Sequence, residues 1–308
     1  MPSDDTMHPN LDDQQSPPPS LCILTPSYRG DIDRFALLRE SINLFAPGIA
    51  HRALVPTEDY REFRGRFRGE SNLEIVRTAD VLPRSVERRR SKSGPTWLTG
   101  GWLWGPRIKR WQARQLAKLF ALANCPYEAA VFLDPAVLIC RALDAKYFYV
   151  DGRLKLFRQP AVNAESFDFA ISTHDIIDNP LHKVTQLYDY GFHPACFRKS
   201  TAIRLLDELV RRRRTQARWL HKFLSEKRPC EYSLLGYAAT VLEAGAHYHM
   251  MECSPTDVHH SVRLTQDRTR FAEEMRQMLA QPKHFALIQA TLRTDPAQIA
   301  SVFHRLVQ

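Results

Sequence analysis

The chain opens with short apolar runs separated by amphipathic stretches. Leu21–Leu24 reads as a buried strand. The loop Thr25-Pro26-Ser27-Tyr28 follows. Ile32, Phe35, Leu38, Ile42 and Phe45 then recur at spacings of three and four, which is one face of a helix. Asp31 or Asp33 is its expected cap, and Pro47-Gly48 ends it. His51–Val55 and Leu73–Val76 read as two more strands, with a short helix after Thr57 between them. This alternation predicts an α/β fold: a mixed, mainly parallel sheet flanked by helices. Trp111–Ala123 is a further helix. Leu116, Leu119, Phe120 and Ala123 form its apolar face, while Gln112, Gln115 and Lys118 share a polar stripe.

The run Ala129–Cys140 is apolar but for Asp134. Burying a lone carboxylate is costly, so this one must end a strand at a cleft or be paired. Pro135 holds Asp134 extended and removes a ladder donor just after it. Further on, Asp151-Gly152 between two β-prone runs predicts a hairpin, and hence antiparallel pairing. Thr201–Arg214 predicts a helix ending in four arginines, which suit its negative end and read as a solvated basic face. Glu231 falls in the first turn of a helix that Gly245 closes. Arg268–Leu279 predicts an amphipathic helix, and Leu287–Leu292 a segment packing back on the core.

Length and charge refine this picture. With 308 residues the chain suits one large domain over 21–308 after a Pro-rich tail, 1–20. The formal charge of +9 favours an anionic partner. The six cysteines are scattered with no CxxC pair, which suits a reduced, cytoplasmic setting. No apolar run is long enough to span a bilayer, and the acidic N-terminus does not read as a signal peptide. The basic, Gly-rich segment 84–110 carries Trp97, Trp102 and Trp104. It reads either as an exposed loop or as a flap with aromatic platforms and cations for an anionic or sugar-bearing ligand.

Three stretches together carry a resemblance: LTPSYRGD, the helix and strand from Gln112 through Asp134 to Asp144, and PCEYSLLGYAATVLEAG. They resemble an uncharacterised bacterial family of glycosyltransferase-like proteins with the GT-A fold. The resemblance implies a hexosyltransferase-type enzyme with a nucleotide-sugar donor. It puts Thr25, Ser27 and Tyr28, with Asp31 nearby, at the nucleoside, and Gln115 and Lys118 at the diphosphate. His193 is a further donor-pocket candidate. Glu231 would be the base toward the acceptor hydroxyl, and Asp134 would serve the donor sugar or a cation.

One departure matters. Such enzymes hold Mn²⁺ or Mg²⁺ with an Asp-x-Asp pair, because a hard cation wants several oxygen ligands. Here the motif reads Asp134-Pro135-Ala136, so one carboxylate is missing. Asp134 and His259, with its neighbour His260, are the remaining metal candidates. Fixed cations (Lys118, Arg114, Arg110, Lys109 and Arg107) are the alternative for neutralising the leaving group. Two further readings stay open. One is a non-catalytic protein that binds a nucleotide, a sugar or a partner. The other is a basic nucleic-acid binder, which no recognised motif supports.

Overall fold

The computed structural model describes residues 20–91, 108–179, 186–259, 267–289 and 294–307. The tail up to residue 19 and the three flap tryptophans lie outside these. The first four strands are β1 (Leu21–Pro26), β2 (Ala50–Val55), β3 (Leu73–Arg77) and β4 (Ala129–Phe132). They lie side by side and parallel, in the order β3-β2-β1-β4. Between them run α1 (Ile32–Phe45), α2 (Tyr60–Arg66), α3 (Thr78–Val81), α4 (Arg84–Ser91) and α5 (Arg110–Ala123). The expected mixed, mainly parallel sheet flanked by helices is therefore present. Pairing of β1 with β4 starts at Leu21 as expected, and the Ser20 carbonyl just before it accepts from the N–H groups of Glu128 and Ala129.

Order 3-2-1-4 places the topological switch between β1 and β4. In open α/β sheets ligands bind outside the carboxyl ends of the strands at that point. Those ends deliver Ser27-Tyr28 from β1 and Asp134 from β4 to one rim. Part of the proposed flap is ordered helix: Val86 of α4 is buried in the main core, which is why Arg84–Ser91 is not loop.

The chain leaves the sheet at Asp134. β5 (Val137–Ile139), which continues the apolar run past Asp134, joins a second sheet. Next come β6 (Tyr149–Val150) and β7 (Arg153–Phe157), paired antiparallel. Asp151 (φ 49°) and Gly152 (φ 72°) take the left-handed turn that suits a tight hairpin. This hairpin sits in a separate small sheet. The main sheet is mixed for another reason: β10 (Ala195–Arg198) pairs antiparallel with β4. Between β7 and β10 lie the short pair β8 (Gln159–Pro160) and β9 (Tyr188–Asp189), and α6 (Ala164–Ile177).

After β10 come α7 (Lys199–Arg213), α8 (Gln216–Ser225) and α9 (Glu231–Tyr237). A π-helical turn, Ala238–Leu242, continues α9. β11 (Tyr248–Met251) pairs with β7, and β12 (Thr256–His259) and β13 (Phe285–Ile288) complete the sheet that holds β5. α10 (Arg268–Ala280) and α11 (Pro296–Val307) pack on it. Their Phe271, Met275 and Phe303 meet Leu37 of α1 in a second core. Helix α1 is thus buried on two sides, with Leu38 and Ile42 facing the main core.

Of the arginines that close α7, Arg211 and Arg214 are exposed, while Arg212 and Arg213 turn back onto the protein. Arg213 donates to the Ile176 carbonyl (3.0 Å) and to that of Asp175, at the end of α6. Arg212 donates to the Asp178 carbonyl at 3.3 Å, and Arg211 and Arg212 both grip Glu208. They complete the carbonyl end of the neighbouring helix, which has no partners of its own there.

Candidate functional site

A cavity of about 660 Å³ opens beside the ends of β1 and β2, between them and α5. Ser27, Tyr28, Asp59, Thr78, Arg110 and Arg114 are among its lining residues. Ser27 extends the β1 ladder, its N–H donating to the Leu54 carbonyl at 3.0 Å. The Ser27 hydroxyl and that of Thr78, just past β3, are both buried and have no protein partner. An unpaired buried hydroxyl costs free energy unless something fills it. Tyr28 is 39% exposed. Gly30 lets its ring fold back, since a Cβ there would lie 2.6 Å from the ring. The Arg114 guanidinium stands 5.7 Å from the same ring. Asp59 accepts from the Arg29 N–H at 2.9 Å, which fixes the loop after β1.

Arg110, Arg114 and Lys118 are spaced by four along α5, so they form one cationic row. Two of them line the cavity. The third, Lys118, lies deeper and pairs with Glu231, whose side chain is wholly buried. With its amide turned to donate, Gln115 also reaches Glu231, Nε2 to Oε1 at 2.9 Å. The Lys118 ammonium stands 4.2 Å from the centre of the Tyr232 ring. Burial pushes the Lys118 pKa down, but the Glu231 carboxylate outweighs it and holds the ammonium above its usual range. Burial pushes Glu231 up, and Lys118 opposes that. Gln112, the remaining member of the polar stripe, donates to the Leu224 carbonyl at 2.9 Å. The stripe therefore faces α8 and α9 instead of solvent.

Asp134 occupies the corner between the two sheets. Its Oδ1 accepts from the Ala136 N–H at 3.0 Å, and its own carbonyl from Val137 at 3.0 Å. Asp31 shares its neighbourhood: burial and then Asp134 push Asp31 up, while Arg114 and Arg34 pull it down. Arg34 is buried and donates to the Thr294 carbonyl at 2.8 Å. His193 packs 6.1 Å from Tyr232. Burial lowers its pKa, with Asp134 and Lys118 acting on it in opposite senses.

The structure thus brings together most of the residues singled out in the sequence. Ser27 and Tyr28 line the cavity, and Gln115, Lys118 and Glu231 form one cluster behind it. Asp31 and His193 each share the surroundings of Asp134, and none of these three lines the cavity. Thr25 is the exception. Its hydroxyl bonds His51 Nε2 at 3.0 Å, and His51 stacks on Phe35 of α1, so Thr25 faces the core on the α1 side. Arg34, Asp59 and Thr78 were not picked out. Thr78 carried a usable signal: it is the first polar residue past the third parallel strand, level with the rim that β1 and β4 define.

Among the described residues no three His, Cys, Asp or Glu side chains come together as metal ligands. Asp134 has an alanine where a second carboxylate would stand, and one of its oxygens already serves Ala136. The described residues thus offer no all-protein cage for Mn²⁺ or Mg²⁺. The backbone of His259 pairs in register with Ile288, whose N–H bonds the Ala136 carbonyl at 3.1 Å, while the His259 side chain and His260 lie outside the described residues.

A family model described as "Family of unknown function (DUF6492)" matches residues 20–307. No curated protein matches the chain in sequence. Among solved structures it is similar to a galactosyltransferase, LgtC, in complex with donor and acceptor sugar analogues: 10% identity over 93% of this chain and 96% of that one, TM-score 0.47. It is similar to mouse xyloside xylosyltransferase 1 at 8% identity over 87% of this chain and 97% of that one, TM-score 0.43. The bifunctional glycosyltransferase WbbM gives 9% identity over 91% and 46%, TM-score 0.41. Likenesses this distant carry no functional weight by themselves.

Proposed function

We propose that this chain, which belongs to the family of unknown function DUF6492, is a glycosyltransferase whose donor is a nucleotide-activated sugar. The observation that carries the reading is the cavity at the strand ends. It combines an aromatic ring, two unpaired buried hydroxyls and two arginines on one helix face. That set suits a nucleoside with an attached diphosphate: the ring and hydroxyls for base and ribose, the guanidiniums for phosphate oxygens. The cavity also lies at the carboxyl ends of the parallel strands, the edge at which open α/β sheets bind ligands.

In this reading Arg110 and Arg114 neutralise the leaving diphosphate, the work that a divalent cation does elsewhere. Asp134 and His193, near Lys118 rather than in the cavity wall, would serve the sugar. Glu231 has a different task from the acceptor base that its motif implied. It is enclosed and gripped by Lys118 and Gln115, so it positions those two side chains.

The enclosure of Glu231 also favours a second reading, a protein that binds the nucleotide sugar without turning it over. One experiment separates the two. UDP-, GDP-, CMP- and dTDP-sugars are each tested for thermal stabilisation and for slow release of free sugar, with and without Mn²⁺. Stabilisation with sugar release supports the enzyme, and stabilisation alone supports the binding protein. Neither effect with any donor overturns both.

A further inference from the structure

We propose that Cys22 and Cys125 form a dithiol that closes to a disulfide when the protein meets a hydroperoxide, tying the start of β1 to the end of α5. The two sulfurs are in contact at 3.6 Å, although the residues come from distant parts of the sequence. Cys22 is the second residue of β1, and Cys125 lies two residues past the end of α5, its N–H bonded to the Leu122 carbonyl. Both are at the amino end of the parallel strands, the edge opposite the cavity. A disulfide needs its sulfurs about 2.05 Å apart. The sulfurs, already in contact, have about 1.5 Å left to close.

The surroundings distinguish this pair from the other cysteines. The Arg52 guanidinium stands 3.7 Å from Cys125 Sγ and is itself held by Glu74 at 2.7 and 3.0 Å. Both cysteines are buried, and Glu74, which holds Arg52, is largely exposed. The Cys22 thiol, together with Arg52, draws Cys125 down to about 6 against the effect of burial. Cys22 is pushed up by its hydrogen bond to Cys125 and by burial. The contact and the guanidinium thus favour the thiolate at Cys125 and the thiol at Cys22. Burial instead pushes Cys140 up to about 12 and also raises Cys196 and Cys230.

The chemistry balances with the hydroperoxide as oxidant. Cys125 thiolate attacks the peroxide, the O–O bond breaks, and the alcohol (or water) leaves as Cys125 becomes a sulfenic acid. Cys22 loses its proton and attacks that sulfur, the S–O bond breaks, and hydroxide leaves and takes up the proton as water. Two thiols are oxidised by two electrons, and one peroxide is reduced.

The test uses the wild-type full-length protein. It is treated with hydrogen peroxide, then unfolded in urea with iodoacetamide and mapped by mass spectrometry. The expected result is loss of alkylation at Cys22 and Cys125 together, a linked Cys22–Cys125 peptide, and full recovery with dithiothreitol. A Cys22→Ala variant should instead hold a sulfenic acid at Cys125 that dimedone traps. The proposal is overturned if both cysteines stay fully alkylatable while exposed Cys253 is oxidised. Progress of Cys125 to sulfinic acid with Cys22 intact overturns it equally.

Discussion

The Lys118 ammonium and the Glu231 carboxylate form an ion pair inside the contact of α5 with α9, closed over by the Tyr232 ring. Removing one member of such a pair strands a buried charge, which costs about 3–5 kcal/mol. Lys118→Met and Glu231→Leu are each expected to lose about that much in urea unfolding. The double variant should lose much less than the sum, because neither charge is left behind. Single losses below about 1 kcal/mol would show that the charges are not enclosed as described.

Arg114 faces the cavity and is exposed, so its loss should be felt by the ligand and not by the fold. Arg114→Ala is expected to weaken binding of the nucleotide sugar about 10–100-fold, the size of a lost charge-assisted hydrogen bond. The unfolding midpoint without ligand should not move. If the guanidiniums neutralise the diphosphate as proposed, chelation with EDTA should leave the affinity of the parent unchanged. Calorimetric titration checks both statements.

His51 is buried against Phe35 and its pKa is lowered to about 3, first by burial and then by Arg39. The folded state holds it neutral, while the unfolded state takes up a proton below about 6.5. Fewer protons in the folded state mean that stability rises with pH through this window. Its contribution is therefore complete above about pH 6.5 and falls by up to about 1.4 kcal/mol per pH unit towards pH 3. The difference in urea stability between the parent and His51→Gln, followed from pH 7 to 5, isolates this slope. A flat difference would contradict it.

Gly236 lies in α9 with the Tyr190 ring against its backbone, and a Cβ there would come within 2.3 Å of Cγ of that ring. Gly236→Ala should destabilise the protein by about 1–3 kcal/mol through overpacking. Adding Tyr190→Leu should recover part of the loss, which denaturant midpoints would show.

The parallel half of the fold was legible because each of its strands is a short apolar run followed by a helix of period 3.6. The Asp151-Gly152 turn was legible because its left-handed geometry restricts the residues that fit. What stayed hidden depends on pairing between distant segments. β5 looks like a continuation of β4, and only its antiparallel partner β13 places it in another sheet. The candidate site divides the same way. Ser27, Tyr28, Lys118 and Asp134 stand in recognisable local patterns. Arg34 looks like any polar residue on a helix, and its place beside Asp31 and Asp134 follows only from packing. The Thr25 hydroxyl went the other way, because His51 on the next strand claims it.

The arginines at the end of α7 change how the formal charge of +9 acts on other molecules. A polyanion binds a basic protein largely because ions condensed on its own phosphates are set free as protein cations replace them. Arg211 and Arg212 are already compensated by Glu208, and Arg213 is occupied with the Ile176 carbonyl. Groups so engaged displace few ions from a phosphate backbone. Binding of this chain to heparin or duplex DNA should therefore depend on salt much less steeply than four neighbouring arginines would otherwise imply.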